Sequence, residues 1–282
     1  MTPTLPRETP SYVPRSGWRY ALAGLRYWLA MANPWVPFPT ARAPRVGLEF
    51  WIHKRDAVGR EIFKTALYEP EITAFLIREF REGGGRFIDV GANLGYYSCL
   101  FSRMAGPGGR VLAFEPEPDN HALLLRNLHR NGAGNVMPRA CALGEKDGTA
   151  LMGRHTRSNR GRHSMLTARP GVGIDVPVRR LDGVLTEEGW ASEPVRCLKI
   201  DVEGYELVAM AGAQEALSRT EWLLMEWSPG LMDPDPRPAE VLEERVGRHF
   251  RRCYRLDRER LSPLDAAERA ALDRQTNLLW SR

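Results

Sequence analysis

The sequence predicts an α/β fold: a mostly parallel, doubly wound sheet with an antiparallel edge strand, preceded by an N-terminal helix and hairpin. Three observations carry that expectation. Strand-like and helix-like segments alternate from residue 86 onward, the pattern of parallel strands joined by crossover helices. An apolar run at 87–90 passes directly into the glycine-bearing turn Asp89, Val90, Gly91, Ala92, Asn93, Leu94, Gly95. A chain of 282 residues with 43% hydrophobic and 27% charged content also has apolar side chains enough for one sizeable core, which makes one decorated domain the natural division.

Residues 1–40 read as an extension. Positions 1–16 are rich in Pro, Thr and Arg and lack the apolar stretch of a secretory signal. Residues 17–38 interleave Trp18, Tyr20, Tyr27, Trp28 and Trp35 with Arg19 and Arg26. A short helix of that composition either packs on the domain or makes peripheral membrane contact through its aromatic and cationic side chains. Pro34, Pro37 and Pro39 end it. No stretch reaches the ~20 consecutive apolar residues of a membrane span.

Residues 41–85 are expected to hold a hairpin built from LEFWIH and EIFKTA, then a helix over 69–81. Ile72, Phe75, Leu76, Ile77 and Phe80 recur there at helical spacing, and Gly83, Gly84 and Gly85 close it. The main domain, 86–282, then offers strands at 86–90, 110–114, 135–143, 196–201 and 221–227. Helices are expected at 97–104, 119–131, 206–217 and 239–249, with late strands at 253–257 and 276–281, the last an antiparallel edge.

Residues 149–185 form an insertion too long and too polar for a simple crossover. Arg154, His155, Arg157, Arg160, Arg162, His163 and Arg169 crowd its first half, and IDVPVRRLD alternates like an exposed strand. The bland alternative for the insertion is a solvated loop. The overall excess of 40 Lys plus Arg over 35 Asp plus Glu, net +5, favours anionic partners only weakly. Cys99, Cys141, Cys197 and Cys253 stand far apart with no CxxC pair, so they read as reduced, buried thiols of a cytoplasmic protein.

Ligands of open α/β sheets sit beyond the carboxyl ends of the strands, where strand order reverses. The turn after 87–90 is therefore the first place to look for a cofactor. Gly91 and Gly95 let the backbone turn tightly and approach a ligand, and helix amides beyond Gly95 can receive a carboxylate. A dinucleotide site prefers GxGxxG, and Asn93 replaces its second glycine. The second strand ends RVLAFEPEP, which places Glu115 at a strand tip where a carboxylate can accept both hydroxyls of a ribose.

IDVGANLGYYS, then FEPEP, then LKIDVEGYE followed by AGA, resembles the FkbM family of class I methyltransferases, with YEPE at 68–71 and TNLLW near the C-terminus adding to the likeness. The resemblance covers about residues 66–228. It implies a Rossmann-like fold binding S-adenosyl-L-methionine (SAM) and methyl transfer to hydroxyl oxygens of sugars, glycolipids or polyketide-type molecules. It implies SAM-binding positions at Asp89, Gly91, Asn93, Gly95 and Glu115, with Ala142 and Leu143 edging the adenine.

Methyl transfer from a sulfonium is an in-line displacement, so holding the acceptor oxygen aligned supplies much of the acceleration. An alcohol also needs a proton acceptor, worth about 10² to 10⁴-fold. Asp201, at the end of the fourth strand, is the first candidate for that role. Glu226, at the next strand tip, is the second, and His163 of the insertion is an alternative. Lys199, Glu203, Arg160 and Arg162 are candidate substrate contacts, the arginines because guanidinium forks bind carboxylate or phosphate. A divalent cation on Asp201 and Glu226 is not expected, for want of a third carboxylate at convincing spacing.

The acceptor is thus expected to be a small molecule or glycan. DVEG in place of NPPY or DPPY argues against a nucleic acid. A nucleic-acid methyltransferase and a non-catalytic SAM-binding accessory protein at a membrane are the alternatives, and the sequence holds no readable code for oligomeric state.

Overall fold

The structure is a computed structural model and describes residues 17–32, 39–53, 56–153, 173–229, 231, 238–257 and 260–282. Helix α1 (Trp18–Ala32) is followed by an antiparallel hairpin of β1 (Thr40–Ala43) and β2 (Leu48–Trp51), with Thr40 opposite Trp51. Helices α2 (Ala57–Thr65) and α3 (Pro70–Glu79) come next. The expected hairpin is thus present with a different partner, because EIFKTA lies in α2 and the end of its last turn. Asp56 caps that helix by accepting from the Gly59 amide at 2.5 Å, and Val58, Ile62 and Thr65 recur on its buried side. That periodicity and cap outweigh the β propensity of Ile62 and Phe63.

The first half of the central sheet comprises β3 (Arg86–Val90), α4 (Tyr96–Ala105), β4 (Arg110–Phe114), α5 (Pro118–Arg130) and β5 (Val136–Arg139). A side sheet follows from β6 (Ala142–Leu143), β7 (Gly148–Gly153) and β8 (Gly173–Arg179), then α6 (Leu181–Glu187). The second half comprises β9 (Val195–Ile200), α7 (Glu206–Ala211), α8 (Gln214–Leu217), β10 (Thr220–Trp227), α9 (Pro238–Arg245), β11 (Arg252–Asp257), β12 (Arg260–Pro263), α10 (Ala266–Ala270) and β13 (Thr276–Ser281).

Strand order in the main sheet is β12-β11-β13-β10-β9-β3-β4-β5. The five strands from β10 to β5 are mutually parallel. The chain leaves β3 toward β5 and returns on the other side at β9, so order reverses between β3 and β9, where such sheets bind ligands. Side chains alternate between two buried faces. Phe87, Val111 and Ala113 pack with α3, α4 and α5, while Ile88, Leu112 and Phe114 pack with residues of α6 through α9. Burial on both faces is what makes the sheet doubly wound.

Three further elements differ from expectation. Residues 135–143 divide between two sheets, since Ala142 and Leu143 pair with β8. Residues 206–217 break at Gly212, where a Cβ would stand 2.0 Å from the Gly144 carbonyl oxygen. Asp182 accepts from the Glu215 and Ala216 amides and so caps the new helix start. At the antiparallel end, β13 lies between β10 and β11, two places in from the edge, which is formed by β12. The alternation of IDVPVRR is a real strand, β8, with Val176 and Val178 inward, whereas Leu181 onward is helical. All four cysteines are buried and free.

Candidate active site

The turn after β3 is built by hydrogen bonds to its neighbour strand. Gly91 and Ala92 both donate to the Phe114 carbonyl, at 3.0 and 2.9 Å, and Gly95 donates to Ala92 at 2.8 Å. Gly91 (φ 78) and Gly95 (φ 91) are left-handed. A Cβ on Gly91 would stand 1.9 Å from the Asp201 carbonyl oxygen, and one on Gly95 would stand 2.6 Å from Leu124 Cδ1. Contact with the tip of β9 and with α5 therefore demands these glycines before any ligand is considered. Asn93 is also left-handed, at φ 51, a conformation asparagine tolerates.

Glu115 follows β4 and is buried. Its Oε2 accepts from the Asn93 amide at 2.7 Å and its Oε1 from the Glu117 amide at 2.9 Å. Burial pushes its pKa up to about 7, against the pull of the two amides. A carboxylate offers about four lone-pair directions, so two remain for a ligand diol. Glu115 lines a cavity of about 310 Å³ together with Gly91, Asn93, Ala142 and Leu143, and the cavity continues to Asp201, Glu203 and Glu226. Asp89 and Gly95 do not line it; they support its floor from β3 and the start of α4.

Beneath the cavity Asp89 is fully buried, and its Oδ2 accepts from Ser98 Oγ at 2.6 Å. Lys199 Nζ lies 3.7 Å from Asp89 Oδ1, 3.2 Å from Asp201 Oδ2 and 5.0 Å over the Tyr97 ring. Burial alone would lower the Lys199 pKa; Asp201, Asp89 and Glu69 outweigh it and raise the value above the usual ammonium range. Tyr97 Oη donates to Glu69 Oε2 at 2.5 Å. Sequence reasoning did not single out Glu69 or Tyr97 as site residues. The left-handed Glu69 (φ 41) at the start of α3 belongs to the YEPE motif, which was the one signal available.

The third carboxylate missing from the sequence expectation is Glu203. One oxygen each from Asp201, Glu203 and Glu226 lies within 4.8 Å of the others. Glu203 sits in the turn after β9 at φ 53, and Glu206, the first residue of α7, ties that turn to the helix by accepting from the Val202 and Gly204 amides. Burial, then Asp201 and Glu203, push the Glu226 pKa up to about 9. His163, Arg160 and Arg162 lie outside the described residues.

These residues fit SAM. Glu115 offers acceptors for a ribose diol, Ala142 and Leu143 an apolar wall for adenine, and the first turn of α4 amides without intrahelical acceptors for a carboxylate. Residues 89–245 match the family described as the methyltransferase FkbM domain. The hexuronic acid methyltransferase AglP of Haloferax volcanii is 27% identical over 78% of this chain and 86% of its own length. The 31-O-demethyl-FK506 methyltransferase FkbM of Streptomyces tacrolimicus is 32% identical over 49% of this chain and 62% of its own. A crystal structure of an FkbM methyltransferase from Methylobacillus flagellatus KT superposes with a TM-score of 0.44 at 14% identity, covering 93% of this chain and 59% of that one. With more than half its length matched, this chain belongs to the FkbM family of SAM-dependent methyltransferases.

Proposed function

We propose that this chain methylates a hydroxyl oxygen of a small-molecule, sugar or polyketide-type acceptor, with Asp201 as the proton acceptor. The observation that carries this reading is the position of Asp201, at the cavity and 3.2 Å from the buried Lys199 ammonium. Bound SAM supplies an electrophilic methyl group on a sulfonium. Lys199 holds the Asp201 carboxylate in one orientation, and Asp89 anchors Lys199 from below. Glu226, its pKa raised by burial and by its acidic neighbours, keeps its proton at neutral pH and donates a hydrogen bond to the acceptor. That division of two carboxyl groups into one proton acceptor and one donor is the usual outcome when their environments differ. Glu203 borders the same space and contacts the acceptor.

The acceptor class rests on two relatives. The name of AglP specifies a hexuronic acid and that of FkbM the 31-oxygen of FK506, both oxygen-rich molecules. Incubation with ¹³C-methyl SAM, a panel of hexuronate-bearing oligosaccharides and a panel of hydroxylated macrolides, read by carbon NMR, tests the assignment. A methyl ether in either panel supports it. Label on nitrogen or carbon, or on a carboxylate as an ester, would overturn the hydroxyl reading.

A further inference from the structure

We propose that α1 docks this protein on an anionic lipid surface. Trp18, Leu22, Leu25 and Leu29 are 71, 40, 56 and 65% exposed, and Trp28 is 57% exposed. At about 100° per residue, positions 18, 22, 25 and 29 fall within an arc of about 60°. The opposite side of the helix is anchored. Tyr27 is buried and meets Phe63 of α2 at a ring separation of 5.6 Å, and Lys64 of α2 lies 3.5 Å over the Tyr20 ring. The helix is therefore held in a fixed orientation with its apolar stripe turned outward.

Charge complementarity selects a lipid occupant. Helix α1 holds no acidic residue, Arg26 is exposed beside the stripe, and Arg60 is exposed on the neighbouring α2. Two exposed tryptophans beside cationic side chains match the boundary between headgroups and acyl chains. A 15-residue helix is about 22 Å long, short of the ~30 Å hydrocarbon core, so it lies in the interface and does not cross. No helix among the described residues is long and apolar enough to span. Ala57 and Val58 of α2 line the cavity, so docking through α1 brings that cavity wall within one helix of the lipid.

The test is cosedimentation of the full chain with phosphatidylcholine vesicles and with vesicles containing phosphatidylglycerol. Binding is expected to the second kind, weakening as salt rises. The double variant Leu25→Glu with Leu29→Glu should lose at least ten-fold in vesicle affinity while its melting temperature and calorimetric SAM affinity stay unchanged. Leu125→Glu, at an exposed leucine of α5, controls for added charge and should bind like the parent. Vesicle binding that the double variant retains would overturn the proposal. So would a chain that ignores vesicles and sediments as a dimer dissociated by the double variant, because the stripe would then join two copies.

Discussion

Glu115, which is buried, and Glu226, which is half-buried, are acids with opposite assignments. Glu115 already accepts two backbone amides, so its remaining acceptor directions are fixed in space before any ligand arrives. Hydrogen bonds to a charged group contribute about 1.5–3 kcal/mol, so Glu115→Ala should weaken SAM binding roughly ten-fold to a hundred-fold by calorimetry. Unchanged affinity would remove the ribose assignment. Glu226 makes a prediction about pH. Its folded pKa is raised from the ordinary 4.5 to about 9, so the folded state binds more protons than the unfolded chain across that window. Stability from this group is fully present below the ordinary value and is lost as pH rises toward the folded one. Glu226→Gln should flatten that loss and raise the melting temperature at pH 8, by about 2–4 °C for each kcal/mol of this proton-uptake cost removed at this chain size. A pH profile of melting identical to the parent's would contradict it.

The elements that place these residues were legible to different degrees. Periodicity alone located β3, β4, β10 and β13, because each is a short apolar run with a polar boundary. It misassigned EIFKTA, because Ile and Phe favour strands and the helix there depends on Asp56, one residue before it, and on burial beneath α1. It missed the break at Gly212, whose cause is contact with Gly144, nearly seventy positions away. The cofactor turn was legible as a motif while the reason for its glycines was not. Contact between Gly91 and the Asp201 carbonyl is a tertiary fact. Gly91→Ala should therefore lower the melting temperature and SAM affinity together, since the clash displaces the tip of β9. A variant as stable as the parent that had lost only SAM affinity would return Gly91 to a purely ligand-facing role.

Across the whole molecule, the fold gathers at one end of the sheet residues from α3, α4, β4, β9 and β10 that are distant in sequence. One-dimensional reading placed Asp89, Glu115, Asp201 and Glu226 at or near strand ends, where the structure has them, because strand tips are predictable, and overlooked Glu69 and Tyr97 because their meeting is not. It also judged three carboxylates to be two. The cluster of Asp201, Glu203 and Glu226 offers three oxygen donors of the kind a hard cation takes, short of the six or more it needs, and Lys199 already balances Asp201. Turnover should stay within about two-fold of the untreated protein after exhaustive chelation, a difference below ~0.5 kcal/mol in barrier. Loss of activity restored by Mg²⁺ or Mn²⁺ would place a cation on the three carboxylates.

The pairing of Lys199 with Asp201 beside the cofactor cavity is the centre of this account, and Asp201→Asn tests it most directly. Single-turnover methyl transfer should fall about 10² to 10⁴-fold while calorimetric SAM affinity stays within about two-fold, equivalent to ~0.4 kcal/mol. Full methyl transfer by the variant, with SAM bound as in the parent, would contradict the role of Asp201 as the proton acceptor.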